Sequence, residues 1–185
     1  MNQIYIEKTN QLYKLVAEIQ TEMIQVWVKD VLFTPHWFVG ISLSIIPWVV
    51  WLYFNKKVSR NRMLFAGFGI MLISSFFDFL GVQLGLWIYY YEIIPWIPAY
   101  EPWDWTLIPV SIMMFIEFKP NTSPYIKGLI FAGMTAFIGE PLFQYIGLYK
   151  QIAWSSFYSF PIYFFIFLMG YWLSRRNNFK IYWSY

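Results

Sequence analysis

Residues 37–54, WFVGISLSIIPWVVWLYF, form a continuous apolar run that contains no Asp, Glu, Lys, Arg or His. A helix that crosses the hydrocarbon core of a bilayer needs about 20 mainly apolar residues. Lys56 and Lys57 follow the run after Asn55, and such charges are typical of a membrane boundary. This segment therefore predicts a transmembrane helix, and with it an integral membrane protein.

The composition of the 185 residues agrees with that prediction. Apolar residues make up 59% of the chain and charged residues only 12%, against about a quarter charged in soluble domains. The absence of cysteine excludes disulfides, thiolate nucleophiles and cysteine metal sites, and the single histidine, His36, excludes a multi-histidine site. The net charge of +3 is spread over short clusters, which does not indicate nucleic-acid binding. We expect no cofactor.

Four further apolar runs predict four more spans. They are residues 63–87, 103–118, 125–146 and 157–173. The run 103–118 would be only about 24 Å long at 1.5 Å per residue, so it would stand nearly upright or thin the bilayer. Residues 36–185 are therefore expected to form an all-α bundle of five transmembrane helices.

The distribution of positive charge predicts the orientation of the bundle. Lys and Arg in short loops favour the cytoplasmic side of a membrane. With five spans, nine of the 13 basic residues fall on one side, in loop 55–62, in loop 119–127 and in the tail with Arg175, Arg176 and Lys180. The N-terminus is therefore expected outside and the C-terminus inside. A four-span topology without 103–118 would break this alternation.

Residues 1–35 form a separate N-terminal segment with an amphipathic pattern. They lack the features of a secretory signal. Apolar side chains recur at helical spacing, and charged ones occupy the opposite face. The apolar positions are Leu12, Val16, Ile19, Met23, Val26 and Trp27. This pattern fits a helix on the outer leaflet of the membrane and a helix packed on its own protein equally well.

The second and fourth spans share a spacing around an acidic residue. Asp78 and Glu140 each lie seven residues before a glycine that is followed by leucine and an aromatic residue. Each span is then followed by an apolar run with a proline, Pro109 or Pro161. A duplicated hairpin over residues 63–118 and 125–174, with its axis along the membrane normal, would explain the match. Chance agreement is the alternative.

Asp78 and Glu140 are the centre of the predicted ligand-binding site. Each lies about 13 Å inward from an aromatic helix end, and small residues beside each allow close helix packing. Both are expected to face the bundle interior, where no Lys or Arg lies at their depth. Unpaired buried carboxyls can hold a proton, share one or bind a cation. The other predicted site residues are Asp104, Tyr158 and Ser159.

A purely structural role is open for each of these residues. A neutral acid hydrogen-bonded to a backbone carbonyl that a proline has freed, such as that of Trp105, would hold helices together at about 0.6 to 2 kcal/mol. Asp104 ends the outer loop 88–104 and suits the first turn of the next helix, where the helix dipole stabilises a carboxylate. Its functional interpretation is an outer gate of the carboxyl site.

At DFLGVQLGLWIYY, GEPLFQYIGLYK and WSSFYSFPIYF the chain resembles an uncharacterised family of small multi-pass membrane proteins of Gram-positive, spore-forming bacteria. The likeness covers residues 60–173 and implies the bacterial plasma membrane, without an activity. Asp78 followed by the Trp87-x-Tyr89 pattern, then Pro102-x-Asp104, is more distantly similar to bacterial heterodimeric lycopene cyclase domains. Those domains carry glutamate, usually doubled, where this chain has Asp104 followed by tryptophan.

Three functions remain open at this stage. The first is a membrane protein whose buried carboxyls line a polar cavity that binds or passes a proton, a cation or a small solute. The second is an enzyme of isoprenoid or carotenoid-like lipids, with a carboxylic acid as proton donor and aromatic rings that stabilise a cation. The third is a non-catalytic accessory subunit of a membrane complex. The expected partners are the bilayer and a small solute, cation or lipid.

Overall fold

A computed structural model describes residues 3–97 and 99–176 of the chain. Lys180, with the rest of 177–185, and residues 1 and 2 lie outside the described residues. The described chain is mainly helical, as the sequence predicts. Its helices are α1 (Gln3–Asp30), α2 (Pro35–Phe54), α3 (Arg60–Gln83), α4 (Ile108–Glu117), α5 (Pro124–Met134), α6 (Glu140–Tyr145) and α7 (Ser156–Ser174), with strands β1 (Trp87–Tyr89) and β2 (Tyr149–Gln151).

Within the described residues, four helical segments are long and apolar enough to cross a membrane. They are Pro35–Phe54, Arg60–Gln83, Pro124–Tyr145 and Ser156–Ser174. They coincide with the predicted first, second, fourth and fifth spans. The architecture is therefore that of a multi-pass helical membrane protein.

The segment predicted as the third span, 103–118, forms the central helix of the bundle. It consists of a π-helical segment, Pro102–Leu107, and the helix α4. Its side chains Ile108, Ile112 and Met113 are fully buried, and its two parts contact α2, α3, α5 and α7. The apolar side chains of this run therefore pack against the other helices of the protein.

Two prolines in the bundle each follow a π-helical segment. Pro109 comes after Pro102–Leu107, and Pro141 comes after Thr135–Gly139. Proline lacks an N–H and therefore interrupts the i to i−4 hydrogen bonds of a helix. The carbonyl of Trp105, four residues before Pro109, instead accepts a hydrogen bond from the Trp48 indole at 3.1 Å. Widened π turns are common at functional sites. Asp104 lies within the first segment and Glu140 directly after the second.

The helices α3 and α6 end in the same way. Gly85 has φ 67° and Gly147 has φ 75°, in the left-handed region that favours glycine. The N–H of the next residue then returns to a carbonyl of the last helical turn, at 2.9 Å for Leu86 and 3.0 Å for Leu148. This is the Schellman type of helix end. Both ends direct the chain into a short strand.

The strands β1 and β2 pair antiparallel across the end of the bundle, which we call the strand end. Trp87 lies opposite Gln151, Ile88 opposite Lys150, and Tyr89 opposite Tyr149. These three-residue strands were not predicted from the sequence. They connect the ends of the second and fourth spans.

The N-terminal helix α1 contacts the rest of the protein through its second half and exposes apolar side chains along its first half. Its second half is attached to the loop after β1, since Gln20 donates to the carbonyl of Pro95 at 3.1 Å and Trp27 donates to that of Glu92 at 2.8 Å. The apolar face of its first half, with Leu12 and Val16, is exposed. The helix therefore offers an uncovered apolar surface beyond its contact with the protein.

Candidate functional site

A cavity of about 300 Å³ lies at the strand end of the bundle, between α3, the first π segment, α6 and α7. The side chains of Asp78, Asp104 and Glu140 all line it. Among the described residues, no Lys, Arg or His lines this cavity. The remaining wall is mainly aromatic and aliphatic, and its rings include Phe77, Trp87, Tyr89, Trp103, Phe143, Tyr149, Trp154 and Tyr163.

Asp78 is 5% exposed and accepts three hydrogen bonds. Its Oδ1 accepts from the Trp87 indole at 2.8 Å and from the Tyr89 hydroxyl at 2.7 Å. Its Oδ2 accepts from the backbone N–H of Tyr100 at 2.9 Å. Hydrogen bonds to a charged acceptor are the stronger kind. These three donors hold a carboxylate in place without a basic residue.

Asp104 is the carboxyl neighbour of Asp78. Its side chain is 3% exposed and lies within hydrogen-bonding range of the Asp78 side chain. Its Oδ2 is buried and receives no hydrogen bond from any donor in the described part of the chain. Ionised carboxylates have no proton to donate, so a bond between these two side chains requires a shared proton. With one such proton the pair would carry a single negative charge.

Glu140 is 4% exposed and is held by donors from β2 and α7. Its Oε1 accepts from the Tyr163 hydroxyl at 2.9 Å. Its Oε2 accepts from Gln151 at 3.1 Å and from the Ser156 hydroxyl at 2.7 Å. Ser159 also contributes a hydrogen bond. Glu140 is thus a second buried carboxyl, and its described hydrogen-bond partners are all neutral.

The two carboxylates are held by residues at matching positions. Tyr89 and Gln151 each lie eleven residues after the acid to which they donate, Asp78 and Glu140 respectively. Tyr89 and Gln151 occupy equivalent positions because the two helices end in the same way. In both, the acid precedes a glycine with positive φ, and then a strand, by the same number of residues.

Four of the five predicted site residues line the cavity, and one does not. Asp78, Asp104, Glu140 and Ser159 line the cavity. Tyr158 is 60% exposed and is not among the lining residues. Its ring forms a T-shaped contact with that of Trp154, with ring centroids 5.3 Å apart.

Several residues of the site were not selected from the sequence. Ser156, Ser159 and Tyr163 recur at helical spacing on an otherwise apolar helix, and this polar face could have identified Ser156 and Tyr163 beside the predicted Ser159. Gln151 and Tyr89 could have been found only from the strands, which are too short to give a period-two signal.

Two further carboxyls lie in the loop between β1 and the first π segment. Glu101 is 3% exposed, and its Oε1 accepts from the N–H of Ile94 at 3.2 Å. Among the described residues, none donates a hydrogen bond to its Oε2. Burial raises the pKa of Glu101 to about 7. Burial and then repulsion by Glu101 raise the pKa of Glu92 to about 8. Both groups therefore change charge near neutral pH.

Comparison with known proteins gives no family assignment. No family model, no curated protein and no solved structure matches the chain. The resemblances to the uncharacterised membrane-protein family and to the lycopene cyclase domains therefore stay predictions.

Proposed function

We propose that this protein is a multi-pass membrane protein that binds a small organic cation in the cavity at the strand end. The observation that carries the proposal is the presence of three buried carboxyls, with no basic residue among the described cavity residues. Negative charge that is removed from water and not neutralised favours a cationic ligand.

The count of charges in the cavity sharpens this proposal. The pair Asp78 and Asp104 shares one proton and keeps one negative charge, and Glu140 provides a second. Anions are therefore disfavoured by repulsion. The faces of aromatic rings attract organic cations, with about 0.5 to 2 kcal/mol per contact. An amine or a quaternary ammonium group matches both features of the wall.

The proposal includes the predicted five-span topology, with the N-terminus outside and the C-terminus inside. The residues 102–117 would form the third span, shielded from lipid by the helices around them. The exposed apolar face of α1 supports its assignment to the outer membrane surface. The motif resemblance supports a location in the bacterial plasma membrane.

A duplicated helical hairpin is part of the same proposal. The matching helix ends at Gly85 and Gly147 support it. The strand register supports it as well, because the pairs Trp87 with Gln151 and Tyr89 with Tyr149 are symmetric about the pair Ile88 and Lys150. The two carboxylates would then be equivalent positions of an ancestral repeat.

Binding of tetramethylammonium to the purified protein in lipid nanodiscs tests this function. Titration calorimetry should show binding, with affinity at least tenfold higher than for tert-butyl alcohol, a neutral molecule of similar shape. Glu140→Gln, which keeps the side chain's size, should weaken binding at least tenfold. Glu117→Gln is the matched control, because Glu117 lies outside the cavity and accepts from Ser59. Equal affinity for the cation and the alcohol would overturn the proposal.

A second candidate function is favoured by the unpartnered oxygen of Asp104. A protonated Asp104 could add its proton to a carbon–carbon double bond of an isoprenoid-like lipid, and the resulting cation would lie among aromatic rings. Loss of a proton from a neighbouring carbon would balance the reaction without an oxidant. Unchanged isoprenoids in cells with the wild-type protein, compared with cells with Asp104→Asn, would count against this enzyme. An accessory role stays a prediction without a specific contact.

A further inference from the structure

We infer that the ligand is an amphiphile, a cationic head group on an alkyl chain, which enters the cavity from the lipid phase beside α3. This inference rests on the proposed cation site and specifies the class of its ligand. Three observations support it: where the cavity reaches the surface, what closes its other side, and its size.

The cavity reaches the surface at leucine side chains. Among the described residues that line it, the two with exposed side chains are Leu80, 37% exposed, and Leu84, 70% exposed. They lie one helical turn apart at the strand end of α3. A mouth formed by leucines on a membrane-spanning helix opens toward acyl chains and offers no polar contacts to a hydrated ion.

The wall between this mouth and the carboxyls is apolar as well. Phe77 lies one turn below Gly81 on α3, and Ile162 and Ile166 occupy consecutive turns of α7. The carboxyls of Asp104 and Glu140 lie deeper and are almost fully buried. The order of side chains, apolar at the mouth and acidic at depth, matches the order of groups in a cationic amphiphile that enters head first.

Aromatic rings cover the cavity on the side of the strands. The Trp87 ring lies directly on α3, since a Cβ atom at Gly81 would be 1.9 Å from it. It also packs on Trp154 with ring centroids 5.2 Å apart. Tyr89 and Tyr100 stack 4.6 Å apart behind it. Packed rings therefore cover the strand side, and the most exposed of the described lining residues are the two leucines of the mouth.

The helices α3 and α7 also confine the mouth to one half of the bundle. Far from the strands they approach closely, because a Cβ atom at Gly170 would lie only 2.6 Å from Ile70 Cδ1. The cavity of about 300 Å³ is at the lower limit of ligand sites, which span about 300 to 1,000 Å³. It accommodates a head group and the first methylenes, and the rest of the chain lies along the leucines.

The affinities of tetramethylammonium and decyltrimethylammonium for nanodisc-embedded protein test the inference. The chain-bearing cation should bind more tightly, by up to about fourfold for each methylene transferred from water into the mouth, after its partitioning into protein-free nanodiscs has been subtracted. Leu80→Trp should narrow the mouth, weaken decyltrimethylammonium at least tenfold and change tetramethylammonium less than twofold. Leu72→Trp, an exposed position on the same helix outside the cavity, should change neither. Equal effects of Leu80→Trp on both cations would overturn the inference.

A labelling experiment gives an independent readout should Leu80→Trp fail to fold. The chain has no cysteine, so Leu84→Cys introduces a single thiol at the mouth, and Gln83→Cys introduces one beside it that does not line the cavity. Decyltrimethylammonium should slow the reaction of the Leu84→Cys variant with an apolar maleimide at least fivefold and leave that of the Gln83→Cys variant unchanged; tetramethylammonium should slow neither. Equal slowing of both variants, or none for Leu84→Cys, would contradict a chain in the mouth.

These experiments test the cation site and the alkyl chain of the ligand separately. If tetramethylammonium binds and Glu140→Gln abolishes this binding, while chain length and the mouth variants have no effect, the cation site stands and the amphiphile does not. If neither cation responds to Glu140→Gln, the proposed function itself fails.

Discussion

The Tyr89 hydroxyl lies 2.7 Å from Asp78 Oδ1 and joins the strand β1 to the interior of the bundle. The Tyr89 ring lines the cavity and stacks on Tyr100, whose backbone N–H donates to the other oxygen of the same carboxyl. The loop after β1 and the carboxyl site are therefore one connected structure.

Tyr89→Phe should destabilise the protein without changing its fold. The substitution removes one of the three donors to Asp78, and a hydrogen bond to a charged group contributes about 1.5 to 3 kcal/mol. The melting temperature in detergent, measured by circular dichroism, should fall. Tyr90→Phe is the control, because Tyr90 is exposed and its backbone bond to Leu148 is unaffected. An equal decrease for both variants would contradict the role of the Tyr89 hydroxyl.

Asp104→Asn should change the stability of the protein much less than Asp78→Asn. An asparagine at 104 supplies an N–H donor in place of the proton shared with Asp78, so stability should change by less than about 1 kcal/mol. An asparagine at 78 replaces a charged acceptor of three hydrogen bonds and should cost about 1 to 3 kcal/mol. Thermal unfolding of the two purified variants measures the difference. Similar losses for both would exclude the shared-proton arrangement.

The loop with Glu92 and Glu101 should become less protected from hydrogen exchange as pH rises. Both folded-state pKa values are raised, to about 8 and about 7, from an ordinary value of 4.5. The folded loop therefore binds protons more tightly than the unfolded one, so its stability is complete below pH 4.5 and decreases between pH 4.5 and 8. Hydrogen exchange of residues 90–97 should report this, after correction for the intrinsic pH dependence of exchange.

The same experiment has a matched control. The double variant Glu92→Gln with Glu101→Gln should flatten the pH dependence, whereas Glu18→Gln, on the exposed face of α1, should leave it unchanged. A pH profile that survives in the double variant would show that other groups govern the loop.

Gly147→Ala should be destabilising through backbone strain alone. A Cβ atom at this position would meet nothing within 4 Å, but φ is 75°, and the left-handed conformation costs a non-glycine residue about 1 to 2 kcal/mol. Gly133→Ala is the control, because Gly133 lies within α5 with its nearest neighbour at 3.9 Å, and alanine there should be neutral or stabilising by up to about 1 kcal/mol. A melting temperature of Gly147→Ala equal to that of the wild type would contradict this account.

Helix length and the burial of Asp78 and Glu140 follow from local sequence, and they were predictable for that reason. Apolar runs of about 20 residues define spans, and a charged residue within such a run must face protein. The contact of Asp78 with Asp104 was not predictable in the same way. It depends on how the loop after β1 folds back to place Tyr100 and Asp104 beside α3, which no periodicity in that loop indicates.

The central helix shows a different limit of sequence reasoning. The run 103–118 is apolar because it lies within the protein, with Ile108, Ile112 and Met113 fully buried. Surrounding protein and surrounding lipid select the same residue types, so composition alone does not distinguish the two environments. Its division into a π segment and an α-helix became apparent only from the structure.

The ladder between β1 and β2 has a mechanical consequence for the bundle. It fastens the ends of α3 and α6 to each other through backbone hydrogen bonds, so a motion that separates these two helices has to break it. No such ladder joins α3 to α7 among the described residues. The two helices that carry Asp78 and Glu140 are therefore coupled at the strand end in a way that the described residues of α3 and α7 are not.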